Sequence, residues 1–294
     1  MSKIGFIFDS FVCSSEKELN EQGFGYLPFR SDIDGITYED GIDVDQNELL
    51  NLIAKGNSLK SSLPRYDRMT NLFEKMSAEY DYVIYLPISD SLSSTYKTAL
   101  NLSKDYSNIV VYNNEWGGDQ LIDVANYAKK VYEETKNLNK VIKVLDYIKE
   151  RSLIYVLPTD LKYVINGGRV SAVKKFALKT LNFLKMHPII KFYESSATTG
   201  GIAKSIKSGV SQIIDKLLKF ATQYKYGDSP EKYNIHWLSG ISNNVNETVK
   251  DVAKEMNISF KTIKPISSSV AIHTGPEAFS VSIMPNLDEI DIKL

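Results

Sequence analysis

Short, nearly continuous apolar runs recur along this chain, each followed by residues whose apolar positions fall at helical spacing. The first, Ile4 to Phe8, ends at Asp9-Ser10, and later ones span Tyr82 to Leu86, Asn108 to Tyr112 and Leu153 to Leu157. A strand that is apolar on both faces has to be covered on both faces. Alternating such strands with helices gives a parallel sheet between helical layers, which is an α/β fold. The helical stretches are Gln46 to Lys55, Tyr66 to Tyr80 (through Met69, Leu72, Phe73 and Met76), Ser94 to Leu102 and Gly118 to Glu134.

Asn137-Leu138-Asn139 interrupts the last of these, and a second helix runs on to about Arg151. From there the elements change character. A Gly-Gly-Arg turn at 167–169 leads into a helix over Val170 to Lys185. A strand follows at Pro188 to Tyr193, and Gly200-Gly201 separates it from the short run Ile202-Ala203-Lys204. A helix over Ser205 to Tyr224, a strand over Tyr233 to Leu238 and a helix over Glu247 to Met256 come next. The segments Ser259 to Ile263, Val270 to His273 and Phe279 to Met284 complete the chain. This places a domain boundary near residue 150, dividing the chain into 1–150 and 151–294.

Composition narrows the function classes. The 35 basic and 36 acidic residues nearly cancel, so no electrostatic footprint for nucleic acid or an anionic membrane is expected. One cysteine, Cys13, can form neither an internal disulfide nor a thiolate metal cage, which suits a reducing, cytoplasmic compartment. Ile4 to Phe8 is too short for a signal-peptide core or a bilayer span. His187, His236 and His273 are far apart, so no metal site is expected. Phosphate-loop, dinucleotide, zinc-protease and serine-elbow motifs are missing too, so the chain does not look like a self-sufficient kinase, metalloenzyme or serine hydrolase.

What stands out is hydroxyl crowding at predicted strand ends. Lys60-Ser61-Ser62-Leu63-Pro64 precedes a helix, and Ser89 to Thr95 carries five hydroxyl residues in seven between a parallel strand and a helix. Ligands bind in α/β proteins at that carboxyl end of the sheet, and a helix start favours an anion. Hydroxyls there can donate to a carboxylate or phosphate without adding charge. Helix capping is the plainer reading of any single serine, although one cap does not need five. Ile272-His273-Thr274-Gly275-Pro276 sets a histidine beside a tight turn, as a loop-bonding residue or as a donor to an anion. Arginines number 5 against 30 lysines, and Arg169 follows two glycines at a helix start, where its charge opposes the dipole.

Taken in order, these segments resemble the DegV family of fatty-acid-binding proteins, the lipid-carrying subunits of bacterial fatty acid kinase. The resemblance rests on Asp9-Ser10, Ser61-Ser62-Leu63-Pro64, the P-x-S-x-x-L-S-x-T-Y pattern from Pro87 to Tyr96, Asp160-Leu161 through Gly167-Gly168-Arg169, Pro188-Ile189-Ile190 and His273-Thr274-Gly275-Pro276. It implies two α/β domains, an N-terminal parallel sheet flanked by helices and a C-terminal mixed-sheet domain. Residues 1–150 would hold the carboxylate-binding loops, and 151–294 most of the acyl-chain pocket. The ligand would be a long-chain fatty acid, with no cofactor, its carboxylate held by Ser61, Ser62, Ser93, His273 and Thr274. Arg169 would serve phosphoryl transfer or contact with an ATP-dependent kinase subunit, and brief membrane contact would allow lipid exchange. The sequence departs from the family pattern at Leu63-Pro64-Arg65, Ser94, His187 and Glu277. Two other readings stand beside this one: a lipid-buffering protein without a kinase, and a small-molecule phosphotransferase or hydrolase using the hydroxyls themselves.

Overall fold

A computed structural model describes residues 3–166, 183–223, 229–290 and 292 of the 294-residue chain. Strands β1 (Ile4–Asp9), β2 (Gly25–Leu27), β6 (Tyr82–Leu86) and β7 (Ile109–Val111) form an all-parallel sheet in the order β2-β1-β6-β7. Its two faces bury alternate side chains, as the continuous apolar runs require. Phe6, Phe8, Ile84 and Leu86 pack against α5 (Asp119–Thr135) and α6 (Leu138–Glu150). Ile7, Val83 and Tyr85 pack against α3 (Tyr66–Glu79) and α4 (Thr95–Leu102).

A six-stranded mixed sheet takes over from β8 (Leu153–Leu157). Its order is β10-β9-β8-β13-β11-β12, with β9 at His187–Tyr193, β10 at Ser196–Ala203, β11 at Tyr233–Ser239, β12 at Thr262–Pro265 and β13 at Phe279–Pro285. Leu153, Tyr155 and Leu157 face α8 (Ile206–Gln223) and α9 (Asn243–Glu255), along with Phe279, Val281 and Ile283. The intervening residues Ile154, Val156 and Ser280 point to the opposite face. Gly200-Gly201 does not separate two elements. Both lie within β10 at a register shift, and a side chain on Gly200 would approach Tyr155 to 2.7 Å. The helix expected from Val170 lies outside the described residues except at its end.

Between these layers sits a three-stranded antiparallel sheet that periodicity does not reveal: β3 (Arg30–Ile33) between β4 (Ile36–Glu39) and β5 (Leu59–Ser62). Lys60-Ser61-Ser62, read as a lead-in to a helix, is thus a strand. Val270 to His273 proves to be helical, within α10 (Ser268–Thr274). Ile33, with Leu49, Leu50 and Ile53 of α2 (Gln46–Lys55), packs against Ala271 and Ile272 of α10.

His236 on β11 is 2% exposed, and its Nδ1 lies 2.8 Å from the Thr262 hydroxyl. Burial, with Lys261 nearby, pushes its pKa down from 6.5 to about 4. The folded protein therefore keeps this ring neutral where the unfolded chain takes up a proton. The stabilisation is complete above pH 6.5 and declines as the pH falls toward 4. Between about pH 7 and 4.5 the advantage of wild type over His236→Asn should shrink by about 2 kcal/mol in urea unfolding. Comparing the two proteins cancels the contributions of other titrating groups. A gap independent of pH would contradict the assignment.

Candidate functional site

The three sheets enclose a cavity of about 580 Å³. One wall is the face of the mixed sheet opposite α8 and α9, formed by Ile154, Val156, Phe192 and Ser280. Phe11, Phe29, Ile88 and Leu92 extend this apolar lining.

The polar side is built from three separate segments. From β5 come Ser61 and Ser62, from the loop after β6 come Ser93 and Ser94, and from α10 and its approach come Ser267, Ser269, His273 and Thr274. All five residues expected to bind a carboxylate (Ser61, Ser62, Ser93, His273 and Thr274) thus line one cavity. The Ser61 hydroxyl and His273 Nε2 share a hydrogen bond of 2.8 Å across 212 residues of sequence. Ser62 alternates away from Ser61 along the strand and stands exposed at the rim. The Thr274 hydroxyl donates to the Val270 carbonyl at 2.9 Å and would have to turn from it to donate to a carboxylate.

Ser93 is 8% exposed, and its hydroxyl lies 2.9 Å from that of Thr95. Capping accounts for part of this serine cluster: Ser94, the residue before α4, makes no side-chain capping hydrogen bond, but the Ser93 hydroxyl oxygen accepts the Thr95 N–H at 3.3 Å at the helix start. The loop is also fixed from behind by Asp9, a fully buried carboxylate that accepts the N–H groups of Ile88 (2.7 Å) and Phe11 (2.9 Å). Burial pushes the Asp9 pKa up to about 7, against the pull of these two donors.

Two charged residues that sequence reading did not single out also line the cavity. Arg30 is half-buried, and its Nε donates to the Leu63 carbonyl at 3.1 Å. Its one signal was the scarcity of arginine. The buried Glu115 turns its carboxylate to the hairpin between β9 and β10, accepting the N–H groups of Glu194 (3.0 Å) and Ser195. Nothing in the sequence around it marks that role. Ser267 and Ser269, 3.0 Å apart through their hydroxyls, were missed although Ser267-Ser268-Ser269 directly precedes the histidine segment.

Arg169 lies outside the described residues. His187 begins β9 and is not among the cavity-lining residues, while Glu277 is exposed. Among the described residues no group of three or more His, Cys, Asp or Glu could hold a metal ion, and no helix is long and apolar enough to cross a membrane. Cys13 is buried, and burial beside Asp40 pushes its thiol far above the ordinary range, so it is a poor nucleophile at neutral pH.

The chain as a whole has counterparts among known proteins. Residues 3–286 match the family described as "Uncharacterised protein, DegV family". The chain belongs to the DegV family. A DegV domain-containing protein of Mycoplasma genitalium is 30% identical over 302 residues, covering 97% of this chain and 99% of that protein. Among solved structures, a DegV-family protein from Thermus thermophilus described by its fatty acid binding superposes with a TM-score of 0.80 at 18% identity. That alignment covers 96% of this chain and 99% of the other. A stearic-acid-binding protein from Eubacterium ventriosum gives 0.80 at 20% identity, covering 99% and 100%. These likenesses establish for this DegV-family chain the α/β fold, with its parallel sheet, mixed sheet and flanking helices.

Proposed function

We propose that this protein binds a long-chain fatty acid in the 580 Å³ cavity, with the carboxylate against Ser61, Ser62, Ser93, His273 and Thr274. The observation that carries the reading is the division of one enclosure into a hydroxyl–imidazole corner and an apolar sheet face. That division suits an amphiphile with an anionic head, and the stearic-acid-binding relative adds weight. Burying about fifteen methylenes gains about 12 kcal/mol gross. Ordering the chain and losing translation offset much of that. The carboxylate, costly to bury alone, finds neutral donors that need no compensating charge of their own.

On this reading residues 1–150 supply most of the head-group loops and 151–294 most of the acyl wall, with His273 crossing over to meet Ser61. The protein acts as a carrier in the cytoplasm, loads by brief membrane contact, and presents the carboxylate to an ATP-dependent kinase for acyl-phosphate formation. Arg169 is assigned to that phosphoryl step or to the kinase contact. A planar guanidinium suits developing phosphoryl charge.

Organic extraction of the purified protein should release about one long-chain fatty acid per chain, a stoichiometry expected when most of a ligand is enclosed. No acyl species, together with no uptake of added fatty acid, overturns the carrier reading. Supplying a cognate kinase and ATP should convert the bound lipid to its acyl phosphate. Binding without conversion would leave a buffering protein. A second reading, an acyl hydrolase, draws on the Ser61–His273 contact, which sets a hydroxyl against a general base. Turnover of an activated acyl ester, abolished by Ser61→Ala, would favour it.

A further inference from the structure

Behind His273 lies a set of buried polar groups that do not line the cavity. Asp40, just after β4, is 2% exposed, while Ser31 on β3 and Ser268, the first residue of α10, are fully buried. The Asp40 Oδ2 accepts the Ser268 hydroxyl at 2.7 Å and the Ser268 N–H at 3.3 Å. The Ser31 hydroxyl donates to that of Ser268 at 3.0 Å. Asp40 is itself held in place, since the Tyr26 hydroxyl donates to its backbone carbonyl at 2.7 Å.

The geometry around α10 gives these bonds a purpose. With seven residues the helix is too short to hold its position through its own hydrogen bonds. It ends at once at Gly275, whose φ of +98° suits glycine. It meets the three-stranded sheet at two polar points, Ser268 near its start and His273 near its end. Ser31 and Ser61, which receive those two points, are directly paired residues on neighbouring strands. A single acidic side chain thus sets the start of the helix that carries the imidazole.

We infer that Asp40 is a positioning residue for His273: its carboxylate fixes the first turn of α10 on the small sheet and so sets the imidazole against Ser61 and the cavity. The functional part of this inference rests on the fatty-acid reading above, whereas the geometric part does not.

The test uses the full chain, stripped of lipid, with oleic acid as the probe and the ring resonances of His273 as a second readout. Asp40→Ala removes the acceptor, and Asp40→Asn keeps an oxygen that Ser268 can reach. Asp40→Ala should weaken oleic acid binding about tenfold and move the His273 Nε2 resonance away from its hydrogen-bonded position. Asp40→Asn should restore both, with affinity within about twofold of wild type. A merely structural carboxylate would lower the melting temperature without moving the His273 resonance. Unchanged affinity and resonance in a folded Asp40→Ala protein would overturn the inference, and so would failure of Asp40→Asn to restore the resonance. If Asp40→Ala does not fold, Ser268→Ala replaces it. That variant loses the hydroxyl bond but keeps the N–H bond, and an unmoved His273 resonance there also overturns the inference. If wild type takes up no oleic acid, the carrier reading fails, and the resonance comparison alone still decides the role of Asp40.

Discussion

Replacing His273 by alanine should weaken fatty-acid binding by about 1–3 kcal/mol, or about five- to 150-fold, because a partly buried carboxylate loses a charge-assisted hydrogen bond. The change also deprives the Ser61 hydroxyl of its partner at 2.8 Å, leaving it free to turn. Ser93→Ala should act in the same direction through the other half of the proposed head-group site, since the residue is only 8% exposed and water cannot easily replace its hydroxyl. Since Ser93 and His273 come from different segments and would meet one carboxylate, their effects should be coupled rather than additive. Fluorescence titration of delipidated variants, with melting temperatures as a control, measures both. Unchanged affinity in both folded variants would reduce Ser93 to a turn residue and His273 to a partner for Ser61 alone.

The parts of this fold that could be read from sequence are those where burial is two-sided. β1, β6 and β8 carry no polar interruption, and their alternate residues enter different cores or, for β8, a core and a cavity. The three-stranded sheet escaped because its strands are four residues each and partly polar, so neither apolar run nor alternation marks them. One local signal was there. Asp34-Gly35, flanked by Ile33 and Ile36, has φ of 51° and 86°, as a two-residue hairpin turn requires.

The site was legible by residue type and order but not by assembly. Hydroxyl crowding and family resemblance pointed to Ser61, Ser93 and His273, yet no spacing rule brings residues 61 and 273 together. That contact depends on a small sheet and a short helix meeting through long-range packing. Asp40 was the least visible of all. In Glu39-Asp40-Gly41-Ile42-Asp43 it looks like one acid among several on a solvated turn. Only the fold shows that Asp40 is buried, with its pKa pushed up to about 6 by desolvation against the pull of Ser268.

Val156→Phe should convert the cavity into one that discriminates by chain length. Val156 lies on β8 with its side chain on the cavity face, opposite in direction to Tyr155, which packs with the helix-covered core. Its cross-strand neighbours are Ile190 on β9 and Ser280 on β13, so an enlarged ring has space on the cavity side rather than into the core. Phenylalanine adds about four carbons, enough to displace about three methylenes of a ligand lying along the sheet, at ~0.8 kcal/mol each. Stearic acid should therefore bind about fiftyfold more weakly, while a twelve-carbon acid that ends short of the ring should stay within about threefold. The two titrations on one preparation separate the possible causes, since damage to the head-group corner or to the fold weakens both acids alike. Equal losses would place the acyl chain elsewhere or indicate strain at β8, which a lowered melting temperature would reveal. No loss for either acid would mean that the chain does not run along the face of Ile154, Val156 and Phe192, and the apolar wall would lose its assigned role.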